Sequence, residues 1–279
     1  MFTYVKYESR PGVVGNLRLK PSSASGAGSD GVAGVKSALR VLAIFEFFAA
    51  TGKPATLTDL AERLDLPKSS CFALMETLRR EGYVYSLGKR NGYFPTSRLR
   101  VLGDGILRGD SVLVLAQPHL QSLRDATGET VMFGKLDGAE VLYLDVKEAD
   151  HAVRFAAHTG QRKMIHSSAS GRAVLGLLPS DERRKVIGQL SRPKISPRTL
   201  IAVKDLDRAV EQGVSVGWHV AIGENRPEIT SVAAALRMDG EGYFFCVGGP
   251  TQRLAGRENK IGALIAREAA AMAEKAAWT

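Results

Sequence analysis

The sequence predicts an α+β protein of two domains, and three observations lead to this prediction. The chain has 279 residues, whereas a domain commonly has about 100 to 200. Apolar residues near the N-terminus repeat at helical spacing, as Leu39, Leu42 and Phe45 do. From Thr130 onward the apolar residues recur at every second position, which is typical of strands. We therefore expect a helical N-terminal domain and a larger C-terminal domain of mixed strands and helices.

The net charge of +9 is concentrated in the N-terminal part of the chain. Residues 1–110 contain 16 basic and 10 acidic residues and so carry +6 of the total. A basic excess favours a polyanionic or acidic partner, although a basic tail can also serve only solubility. Residues 1–33 include a run rich in Ser, Ala and Gly with little to bury, so we interpret them as a disordered tail.

The cysteines and the apolar runs exclude several classes of protein. Cys71 and Cys246 lie 175 positions apart, which does not fit a disulfide scaffold or a thiolate metal site. No apolar run approaches the roughly 20 residues of a membrane span. We expect a cytoplasmic protein that has no metal, cofactor or membrane association.

Two short helical patterns follow the first helix. Thr56 is expected to cap the first of them, and the pattern breaks at residues 65–67. A second helix starts at about Lys68, because the preceding proline suits a helix start. Its inward face is predicted to contain Cys71, Leu74, Met75 and Leu78. Two helices joined by a tight turn form a helix-turn-helix, whose second helix enters the DNA major groove by its N-terminal end.

A β-hairpin with a basic turn is predicted directly after these helices. Residues 83–85 and 93–94 flank the turn that contains Lys89 and Arg90, which can lie on phosphates or in the minor groove. A helical hairpin of an enzyme could give the same helical pattern, but the basic hairpin favours a winged helix-turn-helix domain over residues 34–97. The predicted DNA-binding residues are Thr56, Lys68, Ser69, Ser70, Phe72, Arg79, Arg80, Lys89 and Arg90.

The rest of the chain is predicted to contain a connecting helix at 98–112 and a domain at 113–279. Gly103, Gly105 and Gly109 interrupt the connecting helix. Strands are expected near 131–133 and 141–146, joined by an Asp-Gly turn at 137–138, and a final helix at about 256–277. Strands interleaved with helices indicate an α+β domain large enough for its own core.

Several stretches resemble the IclR-type bacterial transcriptional regulators, namely KSALRVL, LTDLAERLDLPKSSCFALMETLRREGYV and GYFPTSRLRVLG. The resemblance covers about residues 35–277. It implies a linker helix at 98–112 and a GAF-like effector-binding domain with an antiparallel sheet. This chain has Ser70 where the family usually has threonine and Ala73 where arginine is common. The absence of that arginine leaves open how the helix reads bases.

The run His166 to Arg172 is the strongest candidate for a ligand site. Hydroxyls and free backbone N–H groups before a helix suit an anion, although Ser168 or Ser170 could serve only as a helix cap. The resemblance implies that this run lines a small-molecule pocket, with Cys246 and Gly248 at positions where the family has serines. The predicted effector-binding residues are His166, Ser168, Ala169, Ser170, Gly171, Ser231, Cys246 and Gly248.

The replaced serines predict a roomier, less polar pocket that takes a larger carboxylate, with aromatic acids among the candidates. We therefore predict a transcriptional regulator of a catabolic operon, a homodimer or homotetramer on operator DNA that responds to a small organic acid. Part of the apolar stripe of the first helix faces the second subunit, or else all of it packs inside one domain.

Two other classes of protein stay open. One is an effector-independent DNA-binding protein, and the other is an enzyme in which His166 acts on a neighbouring serine. No catalytic residue is predicted, because the chain has no zinc-hydrolase histidine pair, phosphate loop or nucleophile elbow.

Overall fold

The computed structural model describes residues 34–88 and 91–276. The chain divides after Leu107 into two compact units. The predicted tail at 1–33, the hairpin residues Lys89 and Arg90, and residues 277–279 lie outside the described residues.

The first unit consists of helices and one hairpin. Its elements are α1 (Lys36–Thr51), α2 (Leu57–Arg63), α3 (Lys68–Arg80), β1 (Val84–Ser86), β2 (Tyr93–Pro95) and α4 (Arg98–Gly109), which contains the division. Thr56 and Asp59 form a capping box at the start of α2. Pro67 precedes α3, as the sequence predicts. The core of this unit is formed mainly by Ile44, Phe47, Phe48, Leu60, Cys71, Met75, Leu78 and Val84.

The hairpin is attached to the segment between α1 and α2. Strands β1 and β2 pair antiparallel, and a further bridge joins Ala55 to Tyr93. Gly92 has φ +75°, and a Cβ there would lie 2.1 Å from the carbonyl oxygen of Ala55. Only glycine therefore fits at this crossing. This close approach fixes the base of the hairpin against the helices.

The second unit is built on one six-stranded sheet. Its elements are α5 (Ser111–Thr127), β3 (Thr130–Asp137), β4 (Glu140–Lys147), β5 (Arg162–Met164), α6 (Ala169–Leu175), α7 (Ser180–Gln189), α8 (Val203–Val216), β6 (His219–Ile222), β7 (Ile229–Met238), β8 (Glu241–Pro250), α9 (Thr251–Leu254) and α10 (Glu258–Ala276). The strand order is β5-β4-β3-β8-β7-β6, with every pair antiparallel. The predicted antiparallel α+β fold is thus confirmed.

Helices cover both faces of this sheet. Strand β8 lies in the middle, and its side chains alternate between two cores. Phe245 and Val247 belong to the core beneath α5 and α10, whereas Phe244 and Cys246 belong to the core beneath α6. All four side chains are buried. The central strand is therefore apolar in a continuous run rather than in alternation.

The predicted connecting helix at 98–112 is wrong at its C-terminal end. Helix α4 ends at Gly109, and α5 begins at Ser111. Asp110 separates them because its backbone is extended, and its side chain accepts a hydrogen bond from the N–H of Leu113 at 3.0 Å. The aspartate is thus the N-cap of α5. The two units also divide within the predicted linker rather than at 97 and 113.

Candidate functional site

Helix α3 presents a solvent-exposed face beside its N-terminus. Lys68, Ser69, Phe72 and Ala73 are exposed, and Phe72 keeps 53% of its surface accessible. The opposite face buries Cys71, Met75 and Leu78, as the sequence predicts. The Phe72 ring is thus about half exposed and lies on the face of α3 opposite the core. It is available to a partner.

Several predicted DNA-binding side chains already have partners in the first unit. Thr56 Oγ1 accepts from the N–H of Asp59, so it caps α2. The guanidinium of Arg79 pairs with Glu76, and that of Arg80 pairs with Glu81. These pairs are exposed and weak, and a phosphate can replace them. Within the described residues Lys68 has no ion-pair partner.

The second unit contains a cavity between strands β4 and β5, the turn that precedes α6, and the loop between β6 and β7. Polar and charged groups from several elements meet there. The lining residues are Tyr143, Phe155, Lys163, Ser167, Ser168, Ala221, Glu224, Asn225, Arg226, Ile229 and Ser231. Burial raises the pKa of the Tyr143 hydroxyl, so the phenol is neutral and can donate a hydrogen bond.

Two of the predicted effector-binding residues, Ser168 and Ser231, line this cavity. Ser168 Oγ accepts from the N–H of Gly171 at 3.1 Å and donates to the carbonyl of Met164 at 3.0 Å. Its hydroxyl is therefore a helix cap, which is one of the two roles considered from sequence. His166 is buried, and its Nε2 donates to the carbonyl of Pro193 at 3.0 Å. Burial lowers the pKa of this imidazole.

The remaining predicted effector-binding residues are buried outside the cavity lining. Ala169, Ser170 and Cys246 are buried in the unit, and burial raises the pKa of the Cys246 thiol to about 12. A Cβ at Gly248 would lie 2.8 Å from the Phe155 ring. The extra space predicted at Gly248 is therefore filled by Phe155.

The loop that carries Asn225 and Arg226 is fixed at its start. Glu224 forms a buried ion pair with Arg172 of α6, whose Nη1 also donates to the carbonyl of Val220 at 2.8 Å. Burial raises the pKa of Glu224, and the Arg172 guanidinium opposes that rise. The hydroxyl of Thr199 donates to the backbone carbonyl of Glu224 at 2.6 Å. These contacts hold the loop over the cavity.

Sequence reasoning missed most of the charged and aromatic lining of the cavity. Lys163 lies on a three-residue strand, Tyr143 reads as an ordinary strand residue, and Phe155 lies in a loop after β4. None belongs to a motif. Among the charged lining residues, Glu224 and Arg226 had a signal, because both lie in the stretch Glu224 to Ala234, which resembles the family pattern.

The described ranges 34–88 and 91–276 contain no group of His, Cys, Asp and Glu side chains suited to a metal ion. In the same ranges no helix has the length and apolar character needed to cross a bilayer.

Comparison with known proteins establishes the family. Residues 37–88 match the IclR helix-turn-helix domain, and residues 106–274 match the family described as bacterial transcriptional regulator IclR C-terminal. The chain belongs to the IclR family of bacterial transcriptional regulators. The predicted resemblance is confirmed, as is the winged helix-turn-helix followed by an effector-domain fold.

Individual relatives are similar over most of their length. The HTH-type transcriptional repressor AllR of Klebsiella pneumoniae is 25% identical, over 90% of this chain and 89% of its own. The AllR repressor of Salmonella typhi is 27% identical over the same shares. These relatives are repressors of transcription.

Solved structures of IclR proteins share the fold. The Thermotoga maritima IclR aligns with a TM-score of 0.73 at 21% identity, covering 86% of this chain and 98% of its own. An IclR homologue of Microbacterium hydrocarbonoxydans, solved with 4-hydroxybenzoate, aligns with a TM-score of 0.66 at 23% identity, covering 88% of this chain and 100% of its own.

Family membership decides against the enzyme alternative, because these families are transcriptional regulators. The geometry agrees. His166 Nε2 donates a hydrogen bond to the backbone carbonyl of Pro193, and Ser168 Oγ donates one to the backbone carbonyl of Met164. His166 therefore does not activate Ser168 as a nucleophile in this arrangement.

Proposed function

We propose that this IclR-family chain binds an operator in the bacterial cytoplasm as a homodimer or homotetramer, and that a small organic acid in the cavity of its second unit changes operator affinity. The exposed N-terminal face of α3 is the observation that carries the DNA-binding part. The cavity, with its cationic and hydroxyl groups, carries the effector part. The catabolic operon that it regulates remains a prediction from family resemblance.

The exposed face of α3 combines one cation with two apolar side chains. A lysine at the start of a recognition helix binds phosphate without reading sequence. Phe72 and Ala73, by contrast, suit the methyl group of thymine in the major groove. We therefore propose that the helix reads thymine where an arginine would read guanine.

Lys68→Ala and Phe72→Ala are expected to separate these two roles. Lys68→Ala should weaken binding to all DNA sequences and lower the salt slope of the affinity by about 1. Phe72→Ala should leave the salt slope unchanged and lower discrimination against a thymine replacement by about 1 to 3 kcal/mol. Fluorescence anisotropy with promoter fragments at several salt concentrations measures both. Equal salt slopes for the two variants would contradict this assignment.

An apolar surface on the first unit supports the homodimer. Leu39 and Leu42 of α1 keep 59% and 57% of their surfaces exposed, while Ile44 and Phe48 fill the core. Helix α4 has no buried residue and exposes Val101 and Ile106. Exposed apolar patches of this kind mark protein interfaces. A two-fold dimer would match a palindromic operator.

The double variant Leu39→Glu/Leu42→Glu is expected to lower the assembly state. Charged side chains cannot be buried in a subunit interface without a partner, so sedimentation should show a smaller species. The unchanged core should keep the circular dichroism spectrum of the parent. A variant that sediments as the parent does would place the interface elsewhere.

Titration of the operator complex with acids tests the effector part. DNA footprinting of the neighbouring promoter with aliphatic and aromatic acids, 4-hydroxybenzoate among them, should show a change in protection with at least one acid. By linkage, bound operator must change the affinity for that acid by the same factor. Protection that no acid changes would support the effector-independent alternative, and no protection at all would remove the regulator proposal.

A further inference from the structure

Resting on the proposed effector site, we propose that Lys163 and Arg226 select an effector with two carboxylate groups, one bound by each cation. Both side chains line the same cavity, together with hydroxyl groups and two aromatic rings. Neither residue belonged to the effector site predicted from sequence.

Lys163 is directed into the cavity by the register of its strand. In β5 its neighbours Arg162 and Met164 are exposed, whereas Lys163 is half-buried. It pairs with Val141 of β4, and its Nζ lies 5.9 Å from the centre of the Phe155 ring. Arg162 takes the carboxylate of Asp137 as its partner on the outer surface. Neighbouring residues of β5 thus point to opposite sides: Arg162 is paired on the surface, and Lys163 faces the cavity.

Arg226 approaches the cavity from the opposite element, the loop between β6 and β7. Its backbone carbonyl accepts from the N–H of Ile229 at 3.0 Å, which closes a turn. The loop starts at Gly223, whose carbonyl accepts from the hydroxyl of Ser196 at 2.7 Å. The two cations are therefore placed on separate, fixed elements.

No carboxylate compensates the two cations in the described part of the chain. Neither Lys163 nor Arg226 has an ion-pair partner there. Glu224 also lines the cavity, but Arg172 neutralises it. Burial and the charge of Arg226 lower the pKa of Lys163 to about 8. The charged form of Lys163 is therefore less favourable beside Arg226 than it would be in water.

Lys163 is half-buried without an ion-pair partner in the described residues, and the exposed Arg226 adds a second positive charge beside it, so an anionic ligand would offset the cost of that burial. A monocarboxylate can satisfy one of the two cations. A dicarboxylate can satisfy both, since the cations come from different elements on either side of the cavity. Phe155 and Ile229 would cover the apolar chain or ring between the two carboxylates.

Calorimetric titration of the full chain at pH 7 tests this proposal. The probes are succinate, glutarate, adipate and terephthalate, each beside a monocarboxylate of similar size: butyrate, pentanoate, hexanoate and 4-methylbenzoate. Ethyl phosphate is the probe for two charges on one group. At least one dicarboxylate should bind about tenfold or more tightly than its matched monocarboxylate, because each charged contact typically contributes that factor.

Lys163→Gln and Arg226→Gln should each remove this preference by weakening the dicarboxylate about tenfold and the monocarboxylate much less. Lys185→Gln on the exposed surface of α7 removes the same charge away from the cavity and should change neither affinity. Lys163 is half-buried, Arg226 is exposed and neither has an ion-pair partner to lose in the described residues, so the variants should not lower the melting temperature of the parent.

The outcomes distinguish this inference from the proposed function. Acids that release the operator but bind without a dicarboxylate preference would overturn the inference and keep the proposed function. Equal losses for both acids in the two variants would also overturn it, as would ethyl phosphate binding more tightly than every dicarboxylate. Binding by no acid of either class would overturn both.

Discussion

Arg172→Met is expected to lower the free energy of unfolding of the second unit by about 3 to 5 kcal/mol, the usual cost of removing one partner of a buried ion pair. The side chains of Arg172 and Glu224 are only 4% and 8% exposed. Methionine preserves much of the packing but leaves the Glu224 carboxylate buried without its counter-charge. The Val220 carbonyl also loses its donor. Urea unfolding at pH 8 measures the change.

The pH dependence gives this prediction a second test. Burial already raises the pKa of Glu224 above its ordinary value, and without Arg172 only the hydrogen bond to the backbone of Leu200 opposes that rise. A carboxyl whose pKa is higher in the folded state favours folding when protonated, and this contribution is lost as the pH rises through the folded pKa. The deficit of Arg172→Met should therefore be smaller at pH 5 than at pH 8.

Two variants serve as controls for Arg172→Met. Arg208→Met removes an exposed arginine of α8 and should change stability by less than about 0.5 kcal/mol. Arg172→Met/Glu224→Leu removes both charges and should recover much of the loss. A deficit in Arg172→Met no larger than that in Arg208→Met would contradict a buried, dry ion pair.

Gly171→Ala is expected to cost about 3 kcal/mol, near the upper part of the range for overpacking a core. A Cβ at this position would lie 2.2 Å from the backbone oxygen of Ile165 and 2.5 Å from its Cα. Backbone atoms cannot move aside as a flexible side chain can. Helix α6 must then shift away from the turn that carries Ser167 and Ser168, so acid binding should weaken as well. Urea unfolding and calorimetry measure the two effects.

Gly188→Ala is the matched control for this substitution. Gly188 also lies in a helix, α7, but it is exposed, and no atom lies within 4 Å of a Cβ placed there. Alanine has the higher helix propensity, so stability should rise by up to about 1 kcal/mol. If the two variants had equal stability, the close approach at Gly171 would not be a constraint.

Gly171 has a packing role that differs from the role predicted for it from sequence. Gly171 was predicted to bind the effector, because it follows hydroxyl groups at a helix start. In the structure it lets α6 pack on the backbone of Ile165. Cys246 and Gly248 were likewise assigned to the pocket by family pattern, and both lie in the core beside it.

The sequence by itself determined the two-unit organisation, the helix-turn-helix and the mixed strands and helices of the larger unit. These features depend on local signals: periodicity, a proline before α3 and Asp-Gly at a hairpin turn. Family resemblance added the antiparallel arrangement of the sheet and the class of regulator. An effector site around residues 166–171 stays a prediction, and of this run Ser167 and Ser168 line the cavity.

The tertiary structure decided which side chains form the cavity, because the contributing elements are far apart in the chain. Lys163 on an edge strand and Arg226 in a loop meet only after six strands have paired, and no local spacing links them. The same pairing places Phe155 against Gly248 and encloses Glu224 with Arg172. The basic excess of residues 1–110 follows from counting charged residues in the sequence. In the second unit, the effect of a cation on ligand binding depends on whether it has an ion-pair partner, and only the structure shows this.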